Sequence, residues 1–164
     1  MELWTVTINV KLTVCDSYES LEVRYDDYNE QFRAVVEMAR SLLQESSSKV
    51  LPATIIQSSL VPALLWCGMK CRDSLIRADI VRLIDEIKGQ NTTISAFLMA
   101  LKKVIQYESG DVKLGEQIPE TARLASVKLN IIPGQEKVDL WYRTSALDPH
   151  LIDDDLWLYN SISV

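Results

Sequence analysis

The sequence predicts a mainly α-helical fold, a compact bundle of about four to five helices followed by one C-terminal β-hairpin. Two observations lead to this prediction. Apolar residues recur at helical spacing in three long stretches between residues 28 and 107. After residue 122 the apolar period becomes two, on both sides of a turn-forming Pro133-Gly134. The apolar positions of this hairpin are Val127, Leu129, Ile131, Val138, Leu140 and Tyr142.

Length and charge limit the classes of protein to which the chain can belong. The 164 residues suit a single domain, residues 1–164, with a helical part (3–108), a hairpin (122–143) and a tail (144–164). The net charge is -6 and no cluster of Lys or Arg is present, which argues against binding to nucleic acid or to an anionic membrane surface. Neither a signal peptide nor a membrane-spanning apolar run is evident. We therefore expect an intracellular, cytoplasmic protein, nuclear if it is a regulator.

The first apolar stretch, residues 3–14, is ambiguous. Its apolar residues alternate with Thr, Asn and Lys, which favours a strand. Leu3, Val6, Val10 and Val14 also share one helical stripe, which favours a helix.

A helix is predicted over residues 28–44, opened by Asp27 and ended by Ser46-Ser47-Ser48 and Pro52, which form a linker. Its inward residues are Phe32, Val35, Val36, Ala39, Leu42 and Leu43.

The centre of the chain, Leu60–Ile84, is predicted to be a helical hairpin that breaks at Arg72-Asp73. Asp73 has the position of an N-cap, and Pro62 is expected in the first turn of the first helix. The predicted inward residues are Leu60, Leu64, Trp66, Cys67 and Cys71, then Leu75, Ile76, Ile80, Leu83 and Ile84. The residues predicted to face solvent are Arg77, Asp79, Arg82 and Asp85.

Another helix is predicted over residues 93–107, after a stop at Gly89 and with Thr92 or Thr93 as its cap. Its stripe is Ile94, Phe97, Leu98, Leu101, Val104 and Ile105. The tail after residue 144 is too apolar to be left in water.

Catalytic motifs are missing from the sequence. It contains no nucleotide-binding glycine pattern, no zinc-protease motif and no nucleophile elbow, and its one histidine is His150. Cys15, Cys67 and Cys71 are interpreted as free thiols packed as small hydrophobes. We therefore expect neither a metal nor a cofactor, and no catalytic residue is identified.

Aromatic residues are the one candidate set for a binding site. Tryptophan and tyrosine bury a large area and keep one polar group, so they occur both in cores and around apolar ligands. Most are expected to be core. Trp141 is out of phase with the apolar positions of its strand, so its indole should leave the core face. The predicted substrate-binding residues are Trp66, Trp141, Tyr107, Tyr142 and Trp157.

Residues 25–43, 60–84 and 118–143 together resemble the C-terminal half of the regulatory region of fungal binuclear zinc-cluster (Zn2Cys6) transcription factors. The Cys71-Arg72-Asp73 corner is the most specific part of this resemblance, followed by the hairpin introduced by Ile118-Pro119. The resemblance implies a helix at residues 3–14. The six cysteines of the family's DNA-binding module are missing from this sequence, and residues 89–95 replace a Glu-Gly-x-Trp-Asp segment that is usual in the family.

Two functions are compatible with these observations. The first is a stand-alone, transcription-factor-like domain that binds an apolar small molecule in fungal secondary metabolism. It would be a pericyclic cyclase of the Diels–Alder type acting on a terpenoid or polyketide, because such a reaction requires mainly shape and orientation. The alternative is a truncated regulator without DNA-binding activity, a module that dimerises, binds a partner protein or binds an effector.

Overall fold

The structure is a computed structural model, and it describes residues 23–48, 52–110, 112–131, 137–144 and 157–163. Its helices are α1 (Asn29–Ser48), α2 (Ala53–Lys70), α3 (Ser74–Lys88) and α4 (Thr92–Ser109). Its strands are β1 (Leu124–Ile131), β2 (Lys137–Thr144) and β3 (Leu158–Ser163), and short 3-10 helices lie at Val23–Tyr28 and Glu120–Ala122. The predicted mainly helical fold is confirmed. The β part is a three-stranded antiparallel sheet, larger than the predicted hairpin.

Helix α1 is longer than predicted, because the serines do not end it. The Ser46 hydroxyl donates a hydrogen bond to the Leu43 carbonyl one turn earlier, so its side chain bonds within the helix and does not end it. Its buried face matches the predicted stripe except at Leu42, which is 46% exposed. The buried residues are Phe32, Val35, Val36 and Ala39.

Helix α2 begins at Ala53, well before the predicted Leu60. The carbonyl of Pro52 accepts hydrogen bonds from the amides of Ile55 (2.9 Å) and Ile56 (3.4 Å), so the helix forms directly after the proline. Pro62 therefore lies in the middle of α2, and its predicted place in the first turn is wrong. The helix tolerates it on an exposed side.

The corner between α2 and α3 forms as predicted. Oδ1 of Asp73 accepts hydrogen bonds from the amides of Leu75 (2.9 Å) and Ile76 (3.1 Å), which confirms Asp73 as the N-cap. The buried face of α3 matches the prediction at Ile76, Ile80, Leu83 and Ile84 and differs from it at two residues. Leu75 is 52% exposed, whereas the Arg77 side chain, predicted to face solvent, is only 1% exposed.

Helix α4 is capped by Asn91, not by Thr92 or Thr93: its Oδ1 accepts a hydrogen bond from the Ile94 amide at 3.1 Å. Gly89, with a φ of +52°, ends α3 just before it. The helix is buried on two sides. Ile94, Leu98 and Leu101 belong to the core among the helices, while Ala96, Ala100 and Val104 contact the sheet.

The sheet has the order β1-β2-β3 and lies on α4. Val138 and Leu140 of β2 are buried against the helix, whereas Trp141 points to the opposite face, as the alternation predicted. Strand β3 pairs antiparallel with β2 and was not predicted. The predicted element at residues 3–14, the turn at 133–136 and residues 145–156 of the tail lie outside the residues that the structure describes.

Candidate functional site

A buried network of charges lies where α2, α3, α4 and β1 meet. Oε2 of Glu108 accepts hydrogen bonds from Nη1 of Arg72 (3.2 Å) and from Nη2 of Arg77 (2.5 Å). Oε1 of the same carboxylate accepts one from the Leu124 amide (2.7 Å). All three charged side chains are about 1% exposed. One carboxylate therefore accepts hydrogen bonds from two guanidinium groups and also from the first residue of the sheet.

Arg72 connects this network to the loop that precedes the sheet. Its Nη1 also donates to the Met69 carbonyl (2.7 Å), and its own carbonyl accepts a hydrogen bond from the Ile118 amide (3.2 Å). Neighbouring Arg123 donates from Nη2 to the Asp26 carboxylate (2.8 Å). Sequence reasoning missed the roles of Arg77 and Glu108, because a single charged residue on an amphipathic helix is ordinarily assigned to its solvent face.

Cys67 and Cys71 are buried free thiols, as expected. The Cys71 Sγ lies 3.7 Å from Oδ1 of Asn29 and 3.9 Å from the Asp73 carbonyl. Burial raises the pKa of the Cys71 thiol from 9.0 to about 11, so it stays protonated and is a poor nucleophile near neutral pH.

Two of the five predicted binding residues, Tyr107 and Tyr142, stack on each other with ring centroids 4.7 Å apart. Nδ2 of Asn160, in β3, donates a hydrogen bond to the Tyr107 hydroxyl. Burial, and hydrogen bonding with Tyr107, raise the pKa of Tyr142 above its ordinary value. This pair ties α4 to the sheet.

Two others, Trp141 and Trp157, make their contacts on the outer face of the sheet. The Trp141 ring is 5.3 Å from that of Tyr159, its cross-strand partner. Nζ of Lys128 lies 3.9 Å from the centroid of Trp157, and Cζ of Arg143 lies 5.5 Å from it. These are cation–π distances, so the charged side chains engage this indole.

The fifth, Trp66, packs among the helices. Its ring is 6.0 Å from those of Tyr25 and Phe32. The contacts thus divide the five residues into three groups: Tyr107 with Tyr142, Trp141 and Trp157 with the outer sheet face, and Trp66 with the helical core. Their binding of a ligand stays a prediction.

A groove between α2 and the first half of α4, here called the α2–α4 groove, has a volume of about 520 Å³. Its walls are mainly apolar, and no ionisable side chain is among the described residues that form them. None of the five aromatic residues lines it. The residues that do are Thr54, Gln57, Ser58, Val61, Pro62, Leu65, Asn91, Ile94 and Phe97.

One end of this groove is fixed by amide side chains. Nε2 of Gln57 donates to the carbonyls of Ile87 (3.0 Å) and Lys88 (3.2 Å), the last turn of α3. Oε1 of Gln57 accepts from Nδ2 of Asn91 (3.2 Å). Because both amides are held by partners on a neighbouring element, the groove has a preformed polar end.

Metal ligands do not cluster in the part of the chain that the structure describes: no group of three or more His, Cys, Asp or Glu side chains has suitable geometry. Nor is any helix in that part long and apolar enough to cross a membrane. Comparison of the chain with protein-family models, with curated proteins and with solved structures finds no match.

Proposed function

We propose that this chain is a small-molecule-binding module whose ligand, an apolar molecule with one hydroxyl group, lies in the α2–α4 groove. The groove itself is the observation that carries the proposal. Its volume of about 520 Å³ falls in the range of roughly 300–1,000 Å³ usual for ligand sites, and its walls combine apolar side chains with a few fixed polar groups.

The hydroxyl group of the ligand follows from Pro62. Because proline has no N–H, the carbonyl of Ser58 lacks the donor that an α-helix normally supplies four residues later. Ser58 and Pro62 both line the groove, which supports this carbonyl as the hydrogen-bond acceptor for a ligand bound there. A ligand hydroxyl at this place would satisfy it, whereas a carboxylate would be repelled.

Farnesol, a linear terpenoid alcohol, is a suitable probe for the whole chain. We expect saturable binding with amide NMR shifts concentrated at the groove residues. Ser58→Trp, which places an indole in the groove, should weaken binding by about tenfold or more. Ser59→Trp is the matched control, because the neighbouring serine is also exposed on α2 but does not line the groove. Equal affinities of the two variants, or no saturable binding, would refute the proposal.

The setting we propose is the one that the sequence resemblance implies, a domain like the regulatory region of fungal zinc-cluster factors. Each residue of the Cys71-Arg72-Asp73 corner has a structural task that supports a shared scaffold: a buried thiol, a buried ion pair and a helix cap. A stable complex of the purified chain with a zinc-cluster transcription factor would support a regulatory role.

Cyclisation of a terpenoid or polyketide stays a prediction. Since the described walls of the groove contain no ionisable side chain, we expect it to accelerate such a reaction by holding the reacting ends in register. Incubation with a linear triene that cyclises slowly in buffer tests this, with the product measured by mass spectrometry. Acceleration by the wild type and not by Ser58→Trp would indicate a cyclase. Binding without acceleration would favour the effector-binding module.

A further inference from the structure

A second cavity, between α3 and the second half of α4, has a volume of about 430 Å³ and is here called the α3–α4 cavity. Two residues of the loop after α4 belong to its lining, and the Gly115 amide of this loop donates a hydrogen bond to the Ser74 hydroxyl (2.7 Å). Its lining residues are Ser74, Arg77, Ala78, Val81, Lys102, Ile105, Ser109, Val112 and Leu114.

Arg77 is the unusual residue of this wall. Its side chain is buried, and only Nη2 has a partner, the Glu108 carboxylate. Among the residues described, neither Nε nor Nη1 of Arg77 has a hydrogen-bond acceptor. A buried charged donor without an acceptor is costly, so such groups usually meet a water, an ion or a ligand. Arg77 thus lines the cavity with a positive charge whose unpartnered nitrogens are buried behind the wall.

The charges around the cavity are positive. Glu108 is shared between Arg77 and Arg72, so one negative charge faces two positive charges in this network. Burial, with the repulsion of Arg72, lowers the pKa of Arg77, and the Glu108 carboxylate opposes that shift. Lys102 adds another cation to the lining, which includes no acidic residue among those that the structure describes. These positive charges would therefore attract an anionic ligand.

The remaining wall is apolar and limits the kind of anion. Ala78, Val81, Ile105 and Val112 line the cavity, and Leu114, 72% exposed, lies with them in the lining. A strongly hydrated phosphate dianion would leave these side chains without contacts, whereas the alkyl chain of a carboxylic acid would cover them.

We propose that the α3–α4 cavity binds a small apolar carboxylic acid, with its carboxylate facing Lys102 and attracted by the buried positive charge of Arg77, and its hydrocarbon chain against the apolar wall. This site is separate from the α2–α4 groove and takes an acid where the groove takes an alcohol.

Octanoate, 1-octanol and inorganic phosphate are the probes, each titrated into the full chain. The Nε–Hε resonance of Arg77 reports on the site, and it is assigned from its loss in Arg77→Lys. Octanoate should shift this resonance and bind at least about tenfold more tightly than 1-octanol. Equal affinities for octanoate and octanol, tighter binding of phosphate, or an unshifted Arg77 resonance would overturn the proposal.

Variants separate this site from the rest of the protein. Lys102→Gln should weaken octanoate binding by about threefold to tenfold, while Lys103→Gln, the adjacent lysine outside the cavity lining, should leave it unchanged. Because these lysines lie outside the buried network, this comparison holds even if Arg77→Lys does not fold. Ser58→Trp should not affect octanoate, so failure of the groove proposal and failure of this one are distinguishable. Equal effects of the two lysine variants would count against the site.

Discussion

Arg77 and Glu108 form a buried ion pair, with Nη2 2.5 Å from Oε2, although they lie 31 positions apart in the sequence. The pair joins α3 to α4, and the second carboxylate oxygen joins α4 to the sheet. The interior therefore depends on one carboxylate with several donors around it.

Glu108→Gln should lower the free energy of unfolding by about 3–5 kcal/mol, because two buried guanidinium groups then lose their counter-charge. Urea unfolding followed by circular dichroism measures the loss. Glu86→Gln, on the exposed side of α3, should change stability by less than about 0.5 kcal/mol. Similar values for the two variants would show that the ion network contributes little.

Asp73→Ala should destabilise the protein by about 1 kcal/mol, since the amides of Leu75 and Ile76 lose their acceptor. Asp73→Ser keeps a side-chain oxygen at the cap and should recover most of the loss. Thermal melts of the two variants measure the difference. If serine were as harmful as alanine, the distant charge contact of Asp73 with Arg33 (3.8 Å) would be the more important role.

The raised pKa of the Cys71 thiol should make the protein less stable at high pH. Its pKa is 9.0 when unperturbed and about 11 in the folded chain, so above pH 9 the unfolded chain releases this proton first. Below pH 9 the protonated thiol contributes about 2–3 kcal/mol to the free energy of unfolding, and this contribution is lost as the pH rises from 9 to 11. The difference in unfolding free energy between about pH 8 and pH 11 should be smaller in Cys71→Ala by this amount. An equal decrease in both proteins would contradict the assignment.

Gly68 marks a close approach of three helices. A Cβ at this position would lie 2.9 Å from Cδ2 of Leu101 and 3.2 Å from Cγ2 of Ile80. Gly68→Ala gains about 1 kcal/mol of helix propensity but overpacks the core by about 1–3 kcal/mol, so we expect a net loss of about 1 kcal/mol. In a double-mutant cycle with Leu101→Ala, the alanine at 68 should cost less. Additive losses would mean that the core adjusts elsewhere.

The helical part of the fold was predictable because its apolar residues repeat at helical spacing over several turns. The Asp73 cap was predictable because capping needs only local sequence. Pro62 misled the prediction of where α2 begins, since a proline normally marks a first turn. Here the chain before it, from Ala53, already forms a helix on the Pro52 carbonyl.

The buried charges and the third strand were not predictable from local patterns. In the sequence Arg77 has the pattern of a solvent-facing arginine, because its partner Glu108 lies 31 positions away, on α4. On the inner side of strand β3 lies Asn160, at a position where an apolar residue would have indicated a strand. Its side chain is polar because it donates a hydrogen bond to the Tyr107 hydroxyl, 53 positions away in the sequence. The α2–α4 groove was also not predictable from local patterns, because it depends on the spacing between two helices. The lining residues that the structure describes include no tryptophan or tyrosine, the residue types on which the predicted site was based.

The hydrogen bond from the Leu124 amide to Glu108 has a consequence for how the chain melts. Detaching the sheet would remove a donor from a buried carboxylate and expose that carboxylate to water, so loss of the sheet should also weaken the helical part. The helices and the strands should therefore unfold together. Fluorescence and circular dichroism should give the same melting temperature, and calorimetry should show a single peak.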